Sequence, residues 1–166
     1  MLSILLTIFI VYLAVSLFGY LVHKALHQSW TGRFNSSHMA HHVTLYPPQD
    51  YLSDKYRDAG KDDTFWIFAA LSLPLLAIPI LLWLFGLISV ILTGLALAEM
   101  LFIGWLNTYL HMAFHIRNHF LYRIPIIKII FNKWNDFHYL HHVNMQANFG
   151  IFNFKWDRLF GTFWKG

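Results

Sequence analysis

The 166-residue sequence contains no cysteine. Disulfides, thiolate zinc sites and cysteine-held iron–sulfur clusters are therefore excluded. Charge is also scarce: 12% of residues are Asp, Glu, Lys or Arg, against about 25% in a typical soluble domain. No charged residue precedes His23, and between Thr64 and Leu110 Glu99 is the only one. The formal charge of +4 and a pI near 9.4 come without any basic run, so a nucleic-acid partner is not expected. What remains is 57% hydrophobic and 19% aromatic. That is the composition of a membrane protein, and the length suits a single domain spanning residues 1–166.

Histidine is the residue the chain has in excess. Ten of the eleven histidines fall in four boxes: His23 and His27; His38, His41 and His42; His111 and His115; His138, His141 and His142. The spacings read HxxxH, HxxHH, HxxxH, HxxHH, the same pair twice. Histidines four apart share a helix face one turn on. In HxxHH, at about 100° per residue, the second ring sits near −60° and the third near +40° relative to the first. His41 and His42 thus diverge, which suits a site with more than one metal. Isolated core histidines would not recur in matched boxes. No Glu lies within any box, so the zinc-protease motif HExxH is absent. Catalytic zinc takes about three protein ligands and structural zinc four, and haem needs only one or two histidines. Ten imidazoles instead fit two six-coordinate metals with five each, leaving a position apiece for dioxygen.

The apolar stretches predict how the boxes meet. Residues 1–22 form an uncharged run long enough to span a bilayer, with His23 and His27 at its end. A cleaved signal peptide would need a basic leader, which is missing. Residues 28–37 read as a polar connector around Gly32, and Pro47 and Pro48 end any helix after the second box. Asp50, Asp54 and Asp58 follow in a solvated segment, where an aspartate can accept an imidazole N–H. Residues 64–110 would be about 70 Å long as one helix, more than twice the bilayer core. A turn at Gly86 divides them into spans near 64–85, kinked at Pro74 and Pro79, and 87–110, running into His111. Residues 116–137 mix basic and apolar side chains, as an interfacial amphipathic helix interrupted near Pro125 does. The aromatic tail from Asn148 reads as a cap on the site.

Three spans bring all four boxes to one membrane side. The charges agree, because all twelve Lys and Arg residues lie between Lys24 and Lys61 or between Arg117 and Lys165. By the positive-inside rule that side is cytoplasmic. The expected fold is an all-α integral membrane protein with about three spans, an interfacial helix and a cytoplasmic-side metal site. Asn107, one turn before His111, is a candidate pocket residue. His119 continues the four-residue spacing but is about 12 Å along the axis from His111, so it is expected to lie outside the ligand set.

The four boxes, Tyr46-Pro47 after the second, and the tail Asn148-Phe-Gly150 with Trp156-Asp-Arg-Leu-Phe-Gly-Thr162 resemble the fatty acid hydroxylase/sterol desaturase superfamily over nearly the whole chain from His23 onward. The resemblance implies a membrane non-haem diiron enzyme that takes two electrons, activates dioxygen and hydroxylates or desaturates a lipid C–H bond. It implies iron ligation by His23, His27, His38, His41, His42, His111, His115, His138, His141 and His142, with zinc able to replace iron in recombinant material. The substrate would be a fatty acyl, sterol or sphingoid lipid. The chain departs from the family in its shortness, with three spans where four are usual. It also lacks a fused cytochrome-b-type domain, so a separate donor is expected: a cytochrome-b-type protein, a ferredoxin or a reductase. Competing readings are a carotenoid hydroxylase, which shares the boxes, and a membrane metal transporter or metal-binding protein. A transporter would carry ionisable ligands along a path at mid-membrane, whereas these boxes lie at span ends.

Overall fold

The structure is a computed structural model and describes residues 2–52 and 64–166, the side chains of 64–69 excepted. Among the described residues every regular element is helical. The first helix, α1 (Leu2–Leu26), and α4 (Val90–Ala113) are long and apolar enough to cross a membrane. Their outward side chains include Phe9, Ile91 and Phe102, at 59, 72 and 58% exposure. Apolar surface on that scale suits contact with lipid. Between them, α3 (Thr64–Leu84) continues through Pro74 and Pro79, and its described part from Ala70 to Leu84 is apolar throughout except for Ser72. Buried Val11, Ala96 and Met100, with Val15, Leu75 and Leu76, knit α1, α3 and α4 together.

The chain reverses after α3 where the sequence indicates. Gly86 has φ +72°, a conformation that costs other residues about 1–2 kcal/mol. The third expected span starts three residues late because Ser89 caps it, its Oγ accepting from Leu92 N–H at 3.3 Å. Consequently α4 runs on to Ala113 and contains His111, while His115 lies just past its end in a tight turn, its N–H donating to Met112 O at 3.2 Å.

One expected loop is more ordered than its composition predicts, and the box after it is wound differently. Within the expected connector, Gly32 at φ +59° turns the chain and α2 (Arg33–Ala40) begins at once. The second box then straddles two helix types, because residues His41–Leu45 form a π-helical turn closed by Tyr46 N–H to His41 O at 2.9 Å. The constant 100° step predicted for that box therefore fails after Ala40. Asp54 and Asp58 lie outside the described residues.

Residues 116–124 are not the first half of a long helix. They hold a short 3-10 turn, Phe120–Arg123, and α5 (Pro125–Val143) starts with Pro125 in its first turn. The expected break is thus real, and the helix beyond it carries the fourth box. Ile126 and Ile129, at 76 and 73% exposure, give the first half of α5 an apolar outer face. The tail ends in α6 (Lys155–Leu159). Buried Tyr51, Leu110, Ala113, Phe114, Phe131 and Ile151 join the end of α4 to α5 and the tail.

Substituting Gly86→Val forces a β-branched residue into the left-handed region. The expected result is a loss of about 1–2 kcal/mol in stability, read from thermal unfolding in detergent, with metal content unchanged because the turn lies at the far end of α4 from His111.

Candidate metal centre

Three helices deliver their C-terminal ends to one point. His23 is in the last turn of α1, His111 in the last turn of α4, and His141 and His142 in the last turn of α5. A helix C-terminus carries about half a negative charge, so three of them favour a cation. His38, His41 and His42 enter from α2 and the π-helical turn, and His115 from the turn after α4. All ten box histidines are buried.

Their nitrogens form two groups. His23, His27, His38, His42 and His141 each place one within 4.8 Å of the others, and so do His41, His115, His138 and His142. His41 and His42 are neighbours in sequence but belong to different groups. The π-helical turn begins at this pair. His111 is in neither group, yet its ring centroid lies 4.6 Å from those of His41 and His138 and 6.1 Å from that of His23. It therefore sides with the second group. His119 stands apart, accepting from Leu121 N–H through Nδ1 at 3.3 Å with its Nε2 3.1 Å from the Tyr109 hydroxyl.

The protons can be assigned from the acceptors. Nδ1 of His23, His115, His141 and His142 faces the main-chain oxygens of Phe149, Tyr51, Ala147 and Tyr46, at 2.6, 3.2, 2.6 and 2.8 Å. A carbonyl only accepts, so each neutral ring is protonated at Nδ1 and turns its Nε2 lone pair inward. In these four rings main-chain carbonyls fill the orienting role considered for aspartates.

The inward nitrogens do not form a plausible hydrogen-bond network. Nε2 of His27 lies 3.1 Å from that of His141 and 3.0 Å from that of His38, which is 3.2 Å from Nε2 of His42. In the second group Nε2 of His138 and His115 are 3.4 Å apart. Both nitrogens of His111 and Nε2 of His142 are buried with no hydrogen-bond partner among the described residues. Each such orphan costs about 1–3 kcal/mol. Lone pairs converging from neutral imidazoles satisfy a borderline transition-metal ion instead. The residues present therefore fit a pair of metal ions.

Burial also sets the protonation state. Desolvation, followed by the like charge of neighbouring rings, pushes His38, His41, His42, His115, His138, His141 and His142 well below the ordinary imidazole value. Desolvation alone lowers His27 to about 4. Neutral imidazole is the ligating form.

The tail completes the site through a residue whose role the sequence does not disclose. Asp157 is fully buried, its Oδ1 accepting from Phe149 N–H at 2.7 Å and from the Thr162 hydroxyl at 2.9 Å, its Oδ2 from Gly150 N–H at 2.9 Å. Burial raises its pKa against the opposing pull of those donors. This carboxylate shapes the loop that offers Phe149 O to His23 and packs the Phe149 ring on His23, His27 and His141, at 5.8, 5.6 and 5.4 Å. Gly150 permits the close approach, since a Cβ there would collide with Asn153 O and Asp157 Oδ2. Asn148 takes the left-handed conformation, φ 55°, and holds Trp164 by two hydrogen bonds of 2.8 and 2.9 Å. The strap is tied to α1 by Trp156 Nε1–H to Ser16 Oγ at 3.0 Å and by Asn153 to the Tyr12 hydroxyl at 2.8 Å. The signal in the sequence is its place in the Trp156-Asp-Arg-Leu-Phe-Gly-Thr162 stretch that carries the family resemblance, which marks the segment without giving the carboxylate a role.

Beside the first group lies an apolar cavity of about 490 Å³, walled by α1, α3, α4 and the Phe149–Asn153 segment, with His23 and Asn107 on its lining. Asn107 is thus where the sequence suggested. Glu99 does not line it. That carboxylate keeps Oε2 buried without a hydrogen-bond partner among the described residues.

Among the described residues the chain is helical, with apolar helices long enough to cross a membrane and helix ends that gather ten imidazoles beside an apolar cavity, the arrangement of a histidine-box protein. The fatty acid hydroxylase family profile matches residues 8–162, and the chain belongs to that family, part of the fatty acid hydroxylase/sterol desaturase superfamily. No characterised protein and no solved structure matches it.

Two outcomes follow from this geometry. Asp157→Ala should release the tail and weaken metal binding about 10–100-fold, as losses of orienting partners do, measured by competition with a chelator. The second concerns pH. Imidazoles whose pKa falls on folding hold protons more weakly in the native state, so the unfolded chain protonates first as pH drops. Their contribution is intact above about pH 6.5 and is lost progressively below it, down to about pH 4 for His27. Metal-free protein should show a falling unfolding midpoint as pH goes from about 7 to about 5; a flat profile would contradict neutral burial.

Proposed function

We propose that the chain is a membrane-bound, dioxygen-dependent diiron oxidoreductase that hydroxylates or desaturates a lipid C–H bond. The observation that carries this reading is the position of the paired imidazole groups against one wall of an apolar cavity. In it, His23, His27, His38, His42 and His141 hold one iron. His41, His111, His115, His138 and His142 hold the other, with zinc able to occupy the same nitrogens. Two iron ions held there supply dioxygen activation and the oxidising power for C–H cleavage.

The protein's own contribution is arrangement. The carbonyls of Phe149, Tyr51, Ala147 and Tyr46 keep four rings in one tautomer. The Phe149–Asn153 strap covers the first group and excludes water. The cavity takes the hydrocarbon of the lipid and brings one carbon to the His23 wall. For hydroxylation, the lipid and dioxygen yield an alcohol and water at the expense of two electrons and two protons. For desaturation they yield an alkene and two waters with the same input. A separate electron-donor protein of the cytochrome-b, ferredoxin or reductase type supplies the electrons.

In this reading α1, α3 and α4 all span the bilayer, the N-terminus and the Gly86 turn are non-cytoplasmic, and the metal centre is cytoplasmic. The segregation of all twelve basic residues supports that orientation. Because the chain has no cysteine, single Ser89→Cys and Ser53→Cys variants should label from opposite sides of a sealed vesicle, and labelling from one side would end the three-span arrangement. The chemistry is tested by metal analysis and oxygen uptake on chemical reduction. About two metal ions per chain, bound wholly through nitrogen, are expected. His138→Ala and His141→Ala should each lower metal content and abolish oxygen uptake. One ion per chain in the wild type would overturn the dinuclear centre.

A further inference from the structure

The tail does more than cap the metal centre, because it lies along the flank of α1. Asn153 donates to the Tyr12 hydroxyl at 2.8 Å, Trp156 Nε1–H to Ser16 Oγ at 3.0 Å, and the Tyr20 and Thr162 hydroxyls are 3.1 Å apart. Tyr12, Ser16 and Tyr20 follow at four-residue spacing and so make one polar stripe on α1. Residues 153–162 cover that stripe for about 12 Å, with α6 in the middle. Phe160 stacks on Tyr20 with ring centroids 5.4 Å apart.

The height of this strap in the bundle follows from the neighbouring helix. Helices α1 and α4 run side by side in one direction: Val11 packs with Ala96 and Met100, and the His23 ring lies 6.1 Å from that of His111. Counted along both helices from these contacts, Tyr12 is level with Met100 and Ser16 with Gly104. Leu159, between the Ser16 and Tyr20 anchors, is level with Trp105. At these levels α4 turns Phe102 and Trp105 outward, at 58 and 54% exposure. From Leu2 to Tyr12 is about 15 Å of helix, half of a hydrocarbon core of about 30 Å.

On the strap, the same height carries cations. Lys155 Nζ lies 4.2 Å from the centre of the Tyr12 ring and 4.9 Å from that of Trp156, and the Arg158 guanidinium lies 4.3 Å from that of Phe163. Three residues apart, Lys155 and Arg158 share one face of α6. Asp157, between them in sequence, is turned inward and taken by Phe149, Gly150 and Thr162. Among the described residues no carboxylate meets either cation. Aromatic faces hold a cation in place while leaving its N–H donors for an anion. Leu159 and Phe160, at 67 and 49% exposure, add apolar surface beside the two charges. A cation facing acyl chains is expensive, and an anion that carries its own acyl chains answers both the charges and the apolar surface.

We propose that Lys155 and Arg158 bind the phosphate of an anionic phospholipid, so that the headgroup layer meets the bundle lower at the strap than at α4. The site is on the outer surface of α6, and none of Lys155, Arg158, Leu159 and Phe160 lines the apolar cavity. The inference rests on α1 and α4 crossing the bilayer, as in the reading above. A headgroup on these cations also holds down the loop shaped by Asp157, whose Phe149 oxygen orients His23.

The test uses the full chain in phosphatidylcholine vesicles, with brominated phospholipids quenching tryptophan on contact. Brominated phosphatidylglycerol should bind about ten-fold more tightly than brominated phosphatidylcholine. In Lys155→Gln/Arg158→Gln that preference should fall to about two-fold or less. Lys155→Arg/Arg158→Lys should keep it, as should Lys128→Gln/Lys133→Gln, which removes the same charge from α5. A preference that survives Lys155→Gln/Arg158→Gln would overturn the proposal. Displacement of the lipid by excess inorganic phosphate would do so too, by showing a site for an adventitious ion only. Height is read separately, because a chain without cysteine accepts one nitroxide label at a time. A label at Leu159→Cys should be several-fold more accessible to a water-soluble nickel relaxant than one at Trp105→Cys, and equal accessibility would refute the lowered headgroup layer. A label at Phe9→Cys should meet oxygen and not nickel. Nickel access at Phe9 would overturn the spanning of α1 and the proposal with it, whereas a shielded Phe9 without lipid preference sinks the proposal alone.

Discussion

Four main-chain carbonyls, those of Tyr46, Tyr51, Ala147 and Phe149, determine what the histidines can be. Each accepts one Nδ1 proton and leaves the opposite lone pair facing inward. Carboxylates could do the same but would bring charge into a centre already lacking solvent. Carbonyls bring only a dipole, and their position depends on the course of the backbone. The tight π-helical turn before Tyr46, the prolines after it and the buried Asp157 under Phe149 all serve to place those oxygens. Much of the fold outside the membrane helices can be understood as the means of presenting four carbonyls and ten rings to each other.

That dependence explains the cost structure of the centre. Buried neutral imidazoles lose hydration, and several keep a nitrogen with no partner among the described residues. Apolar packing along α1, α3 and α4 offsets none of this locally, since the packed cluster of Val11, Ala96 and Met100 lies further along the helices. The converging C-terminal ends of α1, α4 and α5 add a field that favours positive charge. A cation answers all of these at once. Stability and metal occupancy are accordingly coupled, and the two are best measured together.

The histidine boxes, the Gly86 turn, the break at Pro125 and the capping tail were legible because each rests on local chemistry. Spacing, a left-handed glycine, a proline at a helix start and an aromatic-rich segment need no knowledge of distant residues. The separation of His41 from His42 was legible as divergence, though not as a change of helix type, because a π-helical turn is selected by tertiary demands on Tyr46 and its neighbours rather than by propensity. Ser89 displaced the start of α4 by a capping bond that hydropathy does not register. The helix over Arg33–Ala40 reads as a connector because its composition is polar and carries no apolar stripe by which hydropathy would mark a helix. Asp157 was opaque for a different reason: its three donors come from residues five to eight positions away, through a loop whose shape it creates.

The order in which the pieces arrive along the chain bears on its biogenesis. His23 emerges early, but the carbonyl that orients it belongs to Phe149, separated by 126 positions, and His27 meets His141 across 114. While the later helices are still being synthesised, the first box is a pair of polar rings at the end of an apolar helix without the carbonyl that orients one of them. The entropy of closing such long loops is lost before their contacts form, so the first box waits for its orienting carbonyl until the last segment of the chain has been made. The ring of acceptors around the histidines is thereby complete only once the tail has arrived.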